Sequence, residues 1–280
     1  MKKSSLLSGL IASSLLLSTS LFANVEMNIV NFEKKRLSKN PNVKIEDIKV
    51  FDTKKLGQSN WTGYILNIKG QVQGKDIEVK DILFSDGEVI ATDLYDLGTG
   101  KALKPLVTPD ITENYYKKEK LIAGNHNGKN KMVVFSDPLC PFCMDLIPEI
   151  VELVNKNKED IALYYYHYPL VQSHPAAVVL SKIMHIAHTK NVENIEYKVY
   201  KADWDEYFTS QETNAVKILN AFNEEFQTDI KLDELMDKKV EMEVANDMKM
   251  GNDLMITGTP TVYVNGKKDI NRDFFKKFEK

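Results

Sequence analysis

Cysteine is scarce, with two residues in 280. A chain this long with so few cysteines is not a small scaffold stapled by disulfides. An excess of one charge is also missing: the formal net charge is −3, which leaves no electrostatic footprint for nucleic acid, and no nucleic-acid partner is expected. Basic stretches such as Lys34-Lys35-Arg36 sit among acids and read as solvated surface. There is no internal repeat or low-complexity tract. Nor is there a long hydrophobic run: the stretch from Leu6 to Leu17 is diluted by serines and falls short of the roughly 20 residues that a membrane-spanning helix needs. What remains is an ordinary folded composition, 43% hydrophobic and 28% charged, with length for two domains.

The first residues read as a leader rather than as part of the fold. Lys2 and Lys3 form a basic start, the Leu6–Leu17 stretch follows, and Ser18-Thr19-Ser20 and Leu21-Phe22-Ala23 complete a secretory signal pattern. The expectation is a signal peptide at residues 1–23, cleaved after Ala23, with an uncleaved anchor as the rival reading. No cysteine follows the apolar run closely enough for lipidation there. Export places Cys140 and Cys143 in an oxidising compartment. A bridge between them would close a very small loop and add little stability. Reactivity explains the pair better than structure does.

Residues 24–103 suggest a small α+β unit. A short amphipathic helix over 25–38 precedes strand-like runs at 43–51, 61–69, 76–84 and 88–92, with Gly57, Gly70, Gly74 and Asp86-Gly87 as turn signals. Such a sheet has edges to cover, so pairing with a second copy is expected. Residues 104–120, rich in Pro, Thr and charge, read as a linker with a short helix. The second domain, 121–280, opens with the buried-strand run Lys131-Met132-Val133-Val134-Phe135. A helix from Cys140 to about Asn155, a strand over 161–167, a helical insertion over about 172–250, the strand Thr261–Val264 and a helix over 272–278 follow. That order fits an α/β domain carrying a helical insertion. Tyr164-Tyr165-Tyr166 reads as strand core, and Asp137 as a turn or cap residue.

The chemistry centres on Cys140-Pro141-Phe142-Cys143. One helical turn brings two Cα atoms to about 5–6 Å, within disulfide range. The first cysteine sits where free N–H groups and the helix dipole favour a thiolate. Cys140 is therefore the expected nucleophile and Cys143 the resolving thiol. Pro141 suits the first helical turn, whereas Pro148 inside the helix should kink it. Far along the chain, Thr259-Pro260 precedes a strand and reads as a tight turn with a plausible cis peptide.

The segment Phe135-Ser136-Asp137-Pro138-Leu139-Cys140-Pro141-Phe142-Cys143 resembles the active-site segment of the periplasmic DsbC/DsbG family of thiol:disulfide interchange proteins. The resemblance is strong around 131–148 and 256–266 and only architectural before residue 105. It implies an N-terminal, cystatin-like dimerisation domain, a linker helix and a catalytic thioredoxin-like domain. It further implies a homodimer that corrects misoxidised exported proteins and is recharged by a DsbD-like or DsbB-like membrane partner, with no cofactor. A cis-proline loop at Thr259 and Pro260 would face the cysteines and offer backbone groups to substrate beside Pro141 and Phe142. Val134, six residues before Cys140, matches that group where thioredoxin and DsbA oxidases carry an acid, and Thr259 suits it too. Against this, His167-Tyr168-Pro169-Leu170 and His174-Pro175-Ala176-Ala177 resemble DsbA-like proteins, so a dithiol oxidase is the alternative.

Two other readings compete. Cys140 and Cys143 could join His185 and His188 in a zinc or copper site. Leu139, Phe142, Met144 and Tyr263 could form an apolar patch for binding unfolded chains, which adds to the enzyme reading rather than replacing it.

Overall fold

The computed structural model describes residues 11–57 and 59–279, with residues 11–23 given by backbone alone. Apart from helical backbone at 11–23, the expected leader lies outside the described residues. No helix among the described residues is long and apolar enough to cross a membrane. The chain divides into two compact units, Met1–Thr108 and Pro109–Lys280.

The first unit is α+β. Helix α1 (Ile11–Leu37) leads into strands β1 (Val43–Lys55), β2 (Thr62–Val72), β3 (Lys75–Ser85) and β4 (Ile90–Ala91), which form an antiparallel sheet in sequential order. The β2–β3 turn is Gln73-Gly74, with φ of 52° and 77°. Two left-handed residues give a turn whose twist matches the strands it joins, and the register runs from Val72 opposite Lys75 to Thr62 opposite Ser85. Alternation along β2 turns Tyr64, Leu66 and Ile68 to one face, where they bury with Ile29 of α1, Ile48 and Leu83. Glu33 of α1, fully buried, is held by Arg36 at 2.6 Å, and Arg36 also reaches Asp81 on β3 at 2.6 Å.

The helix expected within 104–120 does not form. Residues 104–106, 113–115 and 118–120 are separate single 3-10 turns. Pro109 removes a backbone donor and biases Thr108 away from helix. From Pro109 onward the segment belongs to the second unit. Ile111 and Tyr115 are buried there, and the Tyr115 hydroxyl donates to the Met250 carbonyl at 3.1 Å.

In the second unit β5 (Leu121–Gly124) and β6 (Asn130–Ser136) precede α2 (Pro141–Lys156) and β7 (Ile161–His167). Helices α3 (Pro175–Thr189), α4 (Ile195–Val199), α5 (Ala215–Phe226), α6 (Leu232–Leu235) and α7 (Lys238–Asp253) follow, then β8 (Thr261–Val264) and β9 (Lys267–Lys268). The sheet order is β5-β7-β6-β8-β9, with β6 and β7 parallel and the other pairs antiparallel. Every residue of β7 is buried, as a strand covered on both faces requires. Met132, Val134, Leu163 and Tyr165 join the core with α2 and α3. Val133, Phe135, Tyr164 and Tyr166 pack on the other face with Leu254, Ile256 and Tyr263. Asn214 caps α5, its side chain accepting from the Val216 and Lys217 N–H groups. Three elements differ from expectation: β5 and β9 have no counterpart in the sequence pattern, and the closing helix is a 3-10 segment, Phe274–Phe278.

Helix α7 comes close to the sheet at Gly251, where an added Cβ would lie 2.6 Å from two Tyr168 ring carbons and 3.2 Å from Phe135. On an open helix face Gly→Ala gains about 1 kcal/mol. Here overpacking against buried rings should reverse the sign, and Gly251→Ala is expected to destabilise by about 1–3 kcal/mol. Denaturant unfolding measures this, and a raised midpoint would refute the close approach.

Candidate active site

Strand β6 ends at Ser136, and Asp137 turns the chain toward α2. The Asp137 carboxylate is buried and accepts hydrogen bonds from Leu139 N and Leu170 N, each at 2.7 Å, and from His174 Nδ1 at 3.0 Å. It therefore does more than cap a turn: it fastens the start of the helical insertion beside the cysteines. Cys140 is the N-cap residue of α2, with extended backbone, and its carbonyl accepts from Cys143 N at 2.9 Å and Met144 N at 3.0 Å. Pro141 opens the helix at a position that needs no N–H. Helix α2 continues through Pro148 to Lys156.

The two free thiols differ in exposure and in acidity. Cys140 is 4% exposed and Cys143 is fully buried. The Cys143 side chain hydrogen-bonds the Cys140 sulfur, and this is the largest influence on Cys140. Burial opposes it, while the N–H groups of Cys143 and Phe142 add to it, and the Cys140 pKa falls from 9.0 to about 6. Burial, then the hydrogen bond to Cys140 and its charge, push the Cys143 thiol far above the ordinary range, with Ser136 pulling weakly the other way. The Thr259–Pro260 peptide is cis, and the Thr259 carbonyl oxygen lies 3.5 Å from Cys140 Sγ. The fold thus brings the distant Thr259-Pro260 turn onto the cysteine pair. Phe142, between the cysteines, is 67% exposed, with the Arg272 guanidinium 5.9 Å from its ring centre.

A family model described as thioredoxin matches residues 117–280. The chain belongs to the thioredoxin family. With a hydrogen-bonded Cys-x-x-Cys pair at the mouth of α2, it is a thiol–disulfide oxidoreductase of the thioredoxin type. Several solved structures are similar to this thioredoxin-family chain. Oxidised BdbD from Bacillus subtilis is 18% identical over 61% of this chain and 92% of its own, with a TM-score of 0.48. ScsC from Proteus mirabilis in a transitional conformation is 16% identical over 59% of this chain and 74% of its own, with a TM-score of 0.46. A periplasmic thioredoxin-like protein from Salmonella enterica serovar Typhimurium is 16% identical over 60% of this chain and 95% of its own, with a TM-score of 0.45. No curated protein matches the chain.

The alternative metal set does not assemble. His185 and His188 line a separate pocket with Tyr165, His167 and Glu196, and His188 Nδ1 lies 2.6 Å from a Glu196 carboxylate oxygen. Among the described residues no group of three or more metal-ligating side chains comes together. Helical spacing did put the two histidines on neighbouring positions, but the pocket they line contains neither cysteine. The apolar patch also needs correction. Phe142 is exposed, yet Tyr263 is 1% exposed because β8 is an interior strand of the sheet. Sequence reasoning passed over the buried hydroxyls of Ser136, Tyr200 and Tyr165: Tyr200 donates to Ser136 Oγ at 2.7 Å and its oxygen lies 2.7 Å from that of Tyr165. Ser136 had a signal in its place beside the motif; Tyr200 had none.

The acidity of Cys140 can be read by alkylation of the reduced protein at graded pH. The modification rate of Cys140 is expected to rise with a midpoint near pH 6, the thiolate forming above that value. Cys143 should stay unmodified throughout. A midpoint near the ordinary thiol value of 9.0 would contradict the arrangement.

Proposed function

We propose that this oxidoreductase is an exported, homodimeric disulfide isomerase and reductase of the DsbC/DsbG type, acting on misoxidised proteins in the periplasm. The observation that carries the reading is the unequal sulfur pair beneath Thr259. Cys140 is an acidic outer thiol and Cys143 a sealed inner one. In this reading the Cys140 thiolate attacks a substrate disulfide, forms a mixed disulfide and expels a substrate thiolate. That thiolate can attack another disulfide of the same substrate, and the thiolate displaced there attacks the substrate sulfur of the mixed disulfide and releases Cys140 unchanged, which is isomerisation. Alternatively, Cys143 attacks the Cys140 sulfur, closes the Cys140–Cys143 disulfide and releases reduced substrate. Pro141, Phe142, Thr259 and Pro260 would form the surface on which substrate lies.

Val134 six positions before Cys140, Thr259 ahead of Pro260, and an α+β unit preceding the thioredoxin-like domain support the isomerase over the oxidase. Strand β1 is long, Val43–Lys55, and lies at the edge of its sheet. An edge of that length is suited to pairing with a second copy. A DsbD-like membrane reductase would keep such an enzyme reduced. One observation favours the oxidase: a depressed Cys140 pKa stabilises the reduced form and so makes the disulfide a better oxidant. A DsbB-like partner would then recharge it.

Equilibration of the Cys140–Cys143 pair against graded glutathione buffers ranks the two roles, because about 30 mV in a two-electron couple corresponds to tenfold in equilibrium constant. A Cys143→Ser variant is expected to trap Cys140 in mixed disulfides with exported proteins. A pair that neither exchanges nor traps would overturn the reading. Sedimentation of the mature chain should give a dimer. Deletion of residues 24–103 should give a monomer that still reduces small disulfides and no longer isomerises scrambled ones. A truncated protein that remains dimeric would remove the assigned role of the first unit.

A further inference from the structure

The segment after β9 runs back along α2 and meets it at three levels. Asn157, at the end of α2, donates to the Phe278 carbonyl at 3.3 Å. Glu149, in its middle, pairs with Lys276 at 3.1 Å. Phe142, in its first turn, has the Arg272 guanidinium 5.9 Å from its ring centre. Phe275 is fully buried and roots the segment in the core that holds both cysteines. The fold thus delivers an arginine from near the end of the chain to the residue between Cys140 and Cys143.

The turn that carries Arg272 is firmly built. Asp269 is buried, and its carboxylate accepts from Asp273 N at 3.3 Å and Phe274 N at 2.8 Å. Its N–H donates to the Val262 carbonyl at 2.8 Å, and its carbonyl accepts from Arg272 N at 3.3 Å. Val262 lies two residues after Pro260, so the turn is tied to the strand that follows the cis peptide. Arg272 takes a φ of 59°. A non-glycine residue keeps that left-handed conformation only where its surroundings hold it there, and such positions cluster at functional sites.

The charge so placed is left open. Arg272 is exposed, and Phe142 beside it is 67% exposed. The separation is inside the ~6 Å range of cation–aromatic attraction, so the ring steadies the guanidinium without neutralising it. Among the described residues the guanidinium has no hydrogen bond and no carboxylate within 4.0 Å, although Asp145 and Asp273 are exposed near this pair in sequence. Its neighbours differ: Lys267 is paired with Asp110 and Lys276 with Glu149.

We propose that Arg272, steadied by Phe142, is a specificity-determining residue that receives a carboxylate of the substrate segment flanking the disulfide under attack. It thereby directs Cys140 toward protein disulfides with an acidic residue beside the cysteine. The proposal rests on Cys140 being the attacking thiol. A chain lying against Thr259 and Pro260 passes Phe142, and the guanidinium offers a carboxylate there two parallel N–H donors. Water reaches the pair, so the discrimination is modest, roughly two- to fivefold, and salt weakens it.

The test uses the full-length reduced protein carrying Cys143→Ser, which holds the Cys140–peptide adduct for detection by mass after acid quenching. Three synthetic peptide disulfides differ only in the residue beside the cysteine: Glu, Gln or Lys. Each adduct rate is divided by the rate of dithiothreitol on the same peptide, which removes the peptide's own reactivity. The Glu peptide is expected to outpace the Lys peptide at least about threefold at low salt, with the Gln peptide between them and the ratio falling toward one at about 0.5 M salt. Arg272→Gln should bring the ratio to one, Arg272→Glu should invert it, and Arg272→Lys should keep the order. Equal rates on the three peptides in the protein with Arg272 intact would overturn the proposal. So would an Arg272→Gln protein in which all three rates fall together at an unchanged ratio, because that is the mark of a structural fault. Absence of an adduct with any peptide would remove the attacking role of Cys140, on which the proposal stands.

Discussion

Two sulfurs one helical turn apart share a single hydrogen bond, and the fold decides which of them carries charge. Cys140 caps α2 at its open end, within reach of N–H groups that have no partner deeper in the helix. Cys143 is a turn further in, under the core. Because a thiolate at one position makes a second thiolate beside it costly, the difference in burial fixes the order of ionisation. The chemistry of the site follows from that order, and the surrounding elements maintain it.

The maintenance is shared between strands that are far apart in sequence. Parallel pairing of β6 with β7 sets Ser136 opposite His167, and antiparallel pairing of β6 with β8 sets Phe135 opposite Thr261, next to Pro260. The first pairing brings Tyr165 to the same side of the sheet as the cysteines. The second carries Thr259 to within 3.5 Å of Cys140 Sγ. Asp137 draws the start of the helical insertion onto the same loop through Leu170 and His174. A buried carboxylate with three donors is a stable fixture.

Much of this was legible in the residues. The continuous apolar runs of β6 and β7 belong to strands buried on both faces, and that pattern needs no partner to be recognised. Cys140-Pro141-Phe142-Cys143 carries its own geometry, since four residues span one helical turn. Thr259-Pro260 before a short apolar run could be linked to the cysteines by resemblance. The segment at 104–120 was misread because polar residues and prolines look alike whether they bridge two units or lie against one. Its anchors, Ile111 and Tyr115, have no periodicity to declare them. His185 and His188 were placed on one helix correctly, but spacing along a helix does not say which way that helix faces.

The sequence by itself determined the local chemistry: a reactive cysteine pair at a helix start, a strand on either side, and two units in order. These depend on side-chain type and short spacings, which the chain carries wherever it folds. The tertiary structure alone decided the unequal burial of the two thiols, the approach of Thr259 to Cys140, and the hydrogen bonds that join Ser136, Tyr200 and Tyr165. Those depend on contacts between residues tens of positions apart. Their distances are set by sheet register and helix packing, which no local pattern encodes.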